Sequence, residues 1–184
     1  MTDGGVLQIV LGGARSGKTL HGVTLAETLW QQGRHTRLIY LATAQAWDAE
    51  MRTKIANHQK ERQNQPWQTD EEPLEIAARL AQYTQQDIVL LDSIGMWASN
   101  LLLAEYHDTE QAAESLLATT KNCLAHCIFV ADEVGQGVVP ASKMGRQFRE
   151  VNGKINQQLC AQATGVDFVV AGLVQTIKTT EEIG

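Results

Sequence analysis

Gly12-Gly13-Ala14-Arg15-Ser16-Gly17-Lys18-Thr19 lies between an apolar run rich in β-branched residues, Val6 to Leu11, and a helix-like segment ending near Gln31. Strand, glycine-rich loop and helix, in that order, are the context that a phosphate-binding loop requires. The glycines let the main chain curl until several N–H groups face one anion. The new helix adds its unpaired first-turn N–H groups and the positive end of its dipole. In a GxxxxGK[ST] pattern the lysine, here Lys18, reaches the β- and γ-phosphates, and the hydroxyl residue, here Thr19, ligates Mg²⁺. A plain glycine-rich turn matches the letters by chance far more often than it matches letters and context together. The stretch predicts a nucleoside triphosphate cradle built from Gly12, Gly13, Ala14, Arg15, Ser16, Gly17, Lys18 and Thr19.

Outward from this loop, short and nearly continuous apolar runs recur at 37–42, 87–92, 127–132 and 167–172. Runs of that kind suit parallel strands buried on both faces. Helix-like segments fall around and between them, at 16–31, 47–62, 73–82, 109–124 and 142–163. The alternation predicts a doubly wound α/β sheet with right-handed crossovers. No repeat, low-complexity tract or linker interrupts it, so residues 1–184 read as one nucleotide-binding catalytic domain.

Hydrophobic residues make up 43% and charged residues 20% of the 184-residue chain, ordinary values for one soluble domain with a sizeable core. A formal net charge of −6 argues against a nucleic-acid or anionic-membrane surface, since both favour spread-out Lys and Arg. No apolar stretch approaches the ~20 residues of a membrane span. Residues Met1 to Gly5 lack the basic and apolar segments of a signal peptide. Cys123, Cys127 and Cys160 form no CxxC pair, which predicts free thiols rather than a disulfide framework or a zinc site. Cytoplasm is the expected compartment.

Ligands of such sheets sit at the carboxyl ends of the strands, so the residues closing each strand are the candidates. Thr43, Ala44 and Gln45 follow the second run and are small or polar enough to line a nucleotide. Asp92 closes the run Ile88 to Leu91, the Walker-B arrangement in which a carboxylate completes the Mg²⁺ shell. A helix N-cap is the competing use of such an acid. Asp132-Glu133 closes the next run at the same edge, and metal contact, activation of a substrate hydroxyl, and turn or capping roles all stay open for it. In the segment at 47–62, Lys54, His58 and Arg62 recur at i, i+4 and i+8 and share one face. On spacing alone a solvated face with a surface histidine is the better reading. The other reading is an imidazole kept neutral between two cations and able to attack phosphorus. His21, His35, His107 and His126 have no comparable setting. Gly135-Gln136-Gly137-Val138-Val139-Pro140 reads as a flexible loop at the active edge. Arg146 and Arg149 beyond it suit either phosphate oxygens or surface carboxylates. No Asn-Lys-x-Asp guanine-reading segment is present, so base preference is not legible from motifs.

One ordered set of segments runs from Gly12 to about Lys178. It comprises the phosphate loop, Leu41-Ala42-Thr43-Ala44, Lys54-Ile55-Ala56-Asn57-His58 with Arg62, Trp67 to Pro73, and Leu90-Leu91-Asp92-Ser93-Ile94-Gly95-Met96-Trp97 with Ser99 to Leu102. Glu133 to Pro140, Arg146, Phe148-Arg149, Gly153 and Asn156-Gln157 complete it. This set resembles the bifunctional adenosylcobinamide kinase/adenosylcobinamide-phosphate guanylyltransferase family. The resemblance implies a RecA-like P-loop domain, a mostly parallel sheet flanked by helices, assembled as a homotrimer. It implies two reactions on a corrinoid in cobalamin biosynthesis. The aminopropanol hydroxyl of adenosylcobinamide is phosphorylated from ATP or GTP. GMP is then transferred from GTP to that phosphate through a guanylyl-histidine, with release of pyrophosphate. By the resemblance His58 is that histidine and Lys18 the catalytic lysine. Nucleotide contacts fall on Gly12 to Thr19, Ala42, Thr43, Ala44, Gln59, Lys60, Glu61, Arg62, Glu71 and Asp92, with Mg²⁺ on Thr19 and Asp92. The chain departs from the family pattern in three places. Asp132 stands for Asn, Asp92-Ser93-Ile94-Gly95 for Asp-Cys-Leu-Thr, and Ala171-Gly172-Leu173-Val174 for Ala-Gly-x-Pro. These changes leave the nucleotide machinery intact and bear on corrinoid specificity and the balance of the two activities. The other readings of the phosphate loop are a small-molecule kinase that never guanylylates itself and a RecA-like ATPase or nucleotide-gated binding module.

Overall fold

The computed structural model describes residues 5–44, 66–104 and 108–179. In chain order these form β1 (Leu7–Gly12), α1 (Lys18–Gln31), β2 (Arg37–Ala42), β3 (Trp67–Glu71), α2 (Ile76–Leu80) and β4 (Asp87–Asp92). Then come α3 (Ile94–Leu103), α4 (Thr109–Asn122), β5 (His126–Asp132), α5 (Lys143–Gln162), β6 (Gly165–Val170) and β7 (Leu173–Thr179). One 7-stranded sheet joins the strands in the order β3-β2-β4-β5-β1-β6-β7. Every pairing is parallel except that of β6 with β7.

The apolar runs become strands because the sheet is covered on both faces and neighbouring residues point opposite ways. Ile9, Leu41, Leu91 and Phe129 join Trp97, Leu101, Leu116 and Leu159 from α3, α4 and α5 in one core. Their neighbours Val10, Tyr40, Leu90, Ile128 and Val130 pack with Ala26 of α1 in the other. Close approach of α1 depends on Gly22, where a Cβ would lie 3.0 Å from Leu90 Cδ1 and 3.2 Å from Val130 Cγ2.

All the expected strands form, and the helices expected at 16–31, 109–124 and 142–163 form with trimmed ends. The helix expected at 73–82 shortens to Ile76–Leu80, and the one expected at 47–62 lies outside the described residues. Three elements were not expected. β3, Trp-Gln-Thr-Asp-Glu, carries a single large apolar residue and is held at the sheet edge by its main-chain pairing with β2. β7 is likewise an edge strand and almost wholly exposed, so no buried face marks it in the sequence. It exists because Ala171 and Gly172, at φ 52° and 81°, reverse the chain directly after β6. α3 is so apolar that its helical period is masked; Ile94, Gly95, Trp97, Ala98, Asn100 and Leu101 are all buried. The thiols are free as expected, with Cys123 and Cys127 buried and Cys160 partly so.

Away from the carboxyl edge, Arg37 and Asp87 open β2 and β4 in register. The guanidinium grips the fully buried carboxylate through Nε at 2.5 Å and Nη2 at 2.7 Å. The Thr84 N–H and hydroxyl also donate to Asp87 Oδ2, at 2.7 and 3.1 Å. Burial pushes the Asp87 carboxyl up, but Arg37 and Thr84 together outweigh it and hold the group below its ordinary value.

Two consequences are measurable. Gly22→Val should cost about 1–3 kcal/mol, because the added methyls must displace Leu90 and Val130; a fall in thermal midpoint with an unchanged far-UV spectrum reports it. A lowered carboxyl stabilises the fold above the unfolded-state pKa of Asp, and that contribution is lost as pH falls through the folded-state value. Taking away the guanidinium in Arg37→Met removes the largest of the causes that lower Asp87. That variant should be less stable than the wild type at neutral pH, as denaturant unfolding followed by circular dichroism reports, and the gap should narrow as pH falls through the carboxylate range.

Candidate active site

Strand register brings Glu71, Ala42, Asp92, Asp132 and Gly12 to the carboxyl edge of β3, β2, β4, β5 and β1. The phosphate loop leaves β1 there. A Cβ on Gly12 would stand 2.4 Å from Ser16 Oγ and 2.8 Å from the Val169 carbonyl, so only glycine fits. Nothing lies within 4 Å of a Cβ placed on Gly13, which leaves its surface open to a ligand. Arg15 at φ 57° and Gly17 at φ 95° curl the loop. The Ser16 N–H donates to the Gly13 carbonyl at 3.3 Å, and the Gly172 N–H donates to the Ser16 carbonyl at 2.8 Å, so the β6–β7 turn braces the loop from behind. α1 starts at Gly17 without a side-chain cap, and no acidic residue occupies its first turn. The Lys18 N–H donates to Ser16 Oγ at 3.3 Å, and the N–H groups that follow in the first turn keep their capacity for an anion.

Lys18 Nζ donates to the Gly13 carbonyl at 3.1 Å and pairs with Asp132 Oδ1 at 2.8 Å. The other oxygen of Asp132 accepts from Ser93 Oγ at 3.0 Å. Asp132 is in turn fixed from α5, where Asn152 Nδ2 and Asn156 Nδ2 donate to its carbonyl at 2.7 and 3.0 Å. Thr19 follows Lys18 in the first turn of α1 and is half-buried. Asp92 accepts from the Tyr40 hydroxyl at 2.7 Å. The cap of α3 is Ser93, whose Oγ accepts from the Met96 N–H at 3.2 Å, so the capping role open to Asp92 in the sequence falls to its neighbour. Thr43 is fully buried and its hydroxyl is spent on Ser93, donating to the carbonyl and accepting from the N–H, each at 2.8 Å. Beside it Ala42 and Ala44 are half-buried, and Glu71 is exposed at the end of β3.

Other candidates take structural positions. Glu133 accepts from the Gly135 N–H, a turn role. Arg146 donates to the Pro140 and Ala141 carbonyls at 3.0 and 2.7 Å, and Arg149 donates to the Gly135 and Gly137 carbonyls. Both arginines thus fasten the loop at 135–140 to α5, a use weighed for neither of them in the sequence. Gln45, Lys54, His58, Gln59, Lys60, Glu61, Arg62 and His107 lie outside the described residues. His21, which has no setting in the sequence comparable to that of His58, has its Nε2 2.8 Å from Asp167 Oδ2, a carboxylate that Gln8 and Thr176 also reach. Burial raises the Asp167 carboxyl, but the His21 and Thr176 hydrogen bonds bring it below its usual range. Ser93 and Asn156 lie in segments that carry the resemblance, but the contacts of Ser93, Asn152, Asn156 and His21 follow only from the fold.

Among the described residues no three His, Cys, Asp or Glu side chains converge as a metal cluster. A Mg²⁺ ion held by one carboxylate, one hydroxyl, phosphate oxygens and water needs none. Nor is any helix of the described residues long and apolar enough to cross a membrane.

The model of the CobU family, described as cobinamide kinase / cobinamide phosphate guanyltransferase, matches residues 8–177. The bifunctional adenosylcobalamin biosynthesis protein CobU of Escherichia coli is 35% identical over 187 residues, covering 92% of this chain and 98% of that protein. The corresponding protein CobP of Pseudomonas aeruginosa is 36% identical over 172 residues, covering 92% and 96%. Among solved structures, the flagellar accessory protein FlaH of Methanocaldococcus jannaschii matches with a TM-score of 0.54 at 16% identity, over 96% of this chain and 79% of its own. A KaiC-like protein of Pyrococcus horikoshii gives 0.54 at 15% identity, over 97% and 81%. Those distant likenesses concern the fold, that of the RecA-like P-loop ATPases. With sequence matches of this depth running from β1 into β7, the chain belongs to the cobinamide kinase/cobinamide phosphate guanyltransferase family, and it is an enzyme.

Proposed function

We propose that one phosphate cradle serves two successive reactions on a corrinoid. In the first, the terminal phosphoryl group of ATP or GTP passes to the aminopropanol hydroxyl of adenosylcobinamide. In the second, a nitrogen of His58 attacks the α-phosphorus of GTP and the bond to pyrophosphate breaks. The corrinoid phosphate then displaces the histidine, giving adenosylcobinamide-GDP. The observation that carries this reading is the phosphate loop itself: a glycine-built turn at the carboxyl end of an interior strand, open at Gly13 and feeding an uncapped helix.

Within the cradle the residues divide the work. The N–H groups from Gly13 to Thr19 hold the phosphate chain in place, and Lys18 meets the charge that builds up on the oxygens of the departing group. Oxygen donors of the hard type on Thr19 and Asp92 suit Mg²⁺, which they would hold against the phosphates. Bound there, the ion supplies further neutralisation of phosphate charge. The second acceptor is already an anion and needs no base, whereas the first is a neutral hydroxyl that must lose a proton. Ala42, Ala44, Glu71 and the residues Gln59 to Arg62 complete the nucleotide contacts, while Thr43, buried against Ser93, supports the strand end from behind. The assignment of His58 rests on its sequence match to the family. Homotrimeric assembly in the cytoplasm belongs to the same reading, and an oligomer would account for the apolar Leu173, Val174 and Ile177 exposed on edge strand β7.

His58→Ala should lose the acid-labile label that wild type acquires from α-labelled GTP, while still passing γ-label to a cobinamide acceptor. Label on the variant at the wild-type level would end the assignment. Lys18→Ala should slow both transfers by roughly 10²–10³-fold, the usual loss when one preorganised donor to a developing charge is removed; steady-state assays of the two reactions measure it.

A further inference from the structure

We propose that Asp132 is a latch on the phosphate cradle: it holds the Lys18 ammonium until a triphosphate takes the lysine from it, and so sets how tightly the cradle binds triphosphates. This rests on the reading of Lys18 as the phosphate-binding lysine.

Three observations build the latch. Asp132 Oδ1 sits 2.8 Å from Lys18 Nζ, in a contact that leaves the lysine side chain 12% and the aspartate side chain 28% exposed. The carboxylate is held in that place and has little freedom to swing aside. Its second oxygen takes the Ser93 hydroxyl at 3.0 Å, and its own carbonyl is gripped by Asn152 and Asn156. Gly95 is part of the same device. A Cβ there would come within 2.3 Å of Asp132 Oδ2, so the glycine alone lets the carboxylate lie against the first turn of α3. Asn152 is itself buried, which fixes the amide that donates to the Asp132 main-chain carbonyl.

The chemistry follows from charge. Register places Asp132 beside Gly12, where the phosphate loop begins. The loop and the first turn of α1 attract phosphate, but a fixed carboxylate at the mouth of the loop repels it and competes for the same ammonium. Each triphosphate that enters must therefore break an existing ion pair and accept an anionic neighbour. The penalty falls on the β- and γ-phosphates that Lys18 serves, and not on the nucleoside.

Asp132→Asn tests this with little change of shape, since the amide oxygen still accepts from Lys18 and the amide nitrogen meets Ser93 Oγ. Isothermal titration of the full chain with Mg-GTP should show binding about tenfold tighter than wild type. GMP, which lacks the β- and γ-phosphates, should bind about as before. Unchanged or weaker GTP binding by Asp132→Asn would overturn the latch, as would an equal change for GTP and GMP. Lys18→Ala separates the two levels of the argument. If it weakens GTP binding while Asp132→Asn does not tighten it, the latch alone is wrong. If neither variant alters GTP affinity, the reading of the lysine has failed with it.

Discussion

A parallel sheet buried on both faces has one edge free for chemistry. Side chains along the strands are consumed by the two cores, and the amino ends here are taken up by contacts such as Arg37 with Asp87. At the carboxyl ends the chain must leave the sheet, so main-chain N–H groups and the last side chain of each strand become available together. Among the described residues, the phosphate loop and the acids Asp92 and Asp132 collect there for that reason. Gly12, Asp92 and Asp132 are each the last residue of their strand, and the register of β1, β5 and β4 brings them to a common edge.

The same constraint explains what could be read in advance. Buried parallel strands leave continuous apolar runs, so their positions were legible to within two residues, as with the run at 167–172 that forms at Gly165–Val170, and the acids Asp92 and Asp132 that end two of them were legible as such. The phosphate loop was legible because its glycines answer a local demand, as the 2.4 Å approach at Gly12 makes plain. Elements that depend on distant partners were not. β3 exists through its ladder with β2, and β7 through a turn at Ala171 and Gly172 whose two residues carry no pattern of burial. The use of Asp92 was ambiguous because the cap of α3 could fall on either of two adjacent polar residues. Three-dimensional contact with Asp132 is what commits Ser93 to both tasks.

Misread residues share a cause. Arg146 and Arg149 were weighed against phosphates and carboxylates, the two partners that a guanidinium suggests on sequence grounds. They instead donate to carbonyls of the loop at 135–140, because a loop that leaves a sheet edge carries acceptors with no ladder to satisfy them. The carboxylate partner of His21 is 146 positions away in the chain, so no local pattern discloses it. Side-chain pairs across that distance are products of strand order, and one sequence does not disclose strand order.

An acidic protein that takes anionic substrates must separate long-range from short-range electrostatics. The net charge is −6, and at physiological ionic strength the reach of a surface charge is about 8 Å. The cradle works over less than half that distance, through N–H dipoles and one ammonium held 2.8 Å from Asp132. Attraction is thereby confined to a group that presents several phosphate oxygens at once, while lone anions meet a lysine already neutralised. An anchored carboxylate at the mouth of the loop sharpens that distinction. Breaking its ion pair is repaid only by a ligand with enough charge to hold the ammonium better than Asp132 does, and a triphosphate meets that requirement where a single phosphate does not.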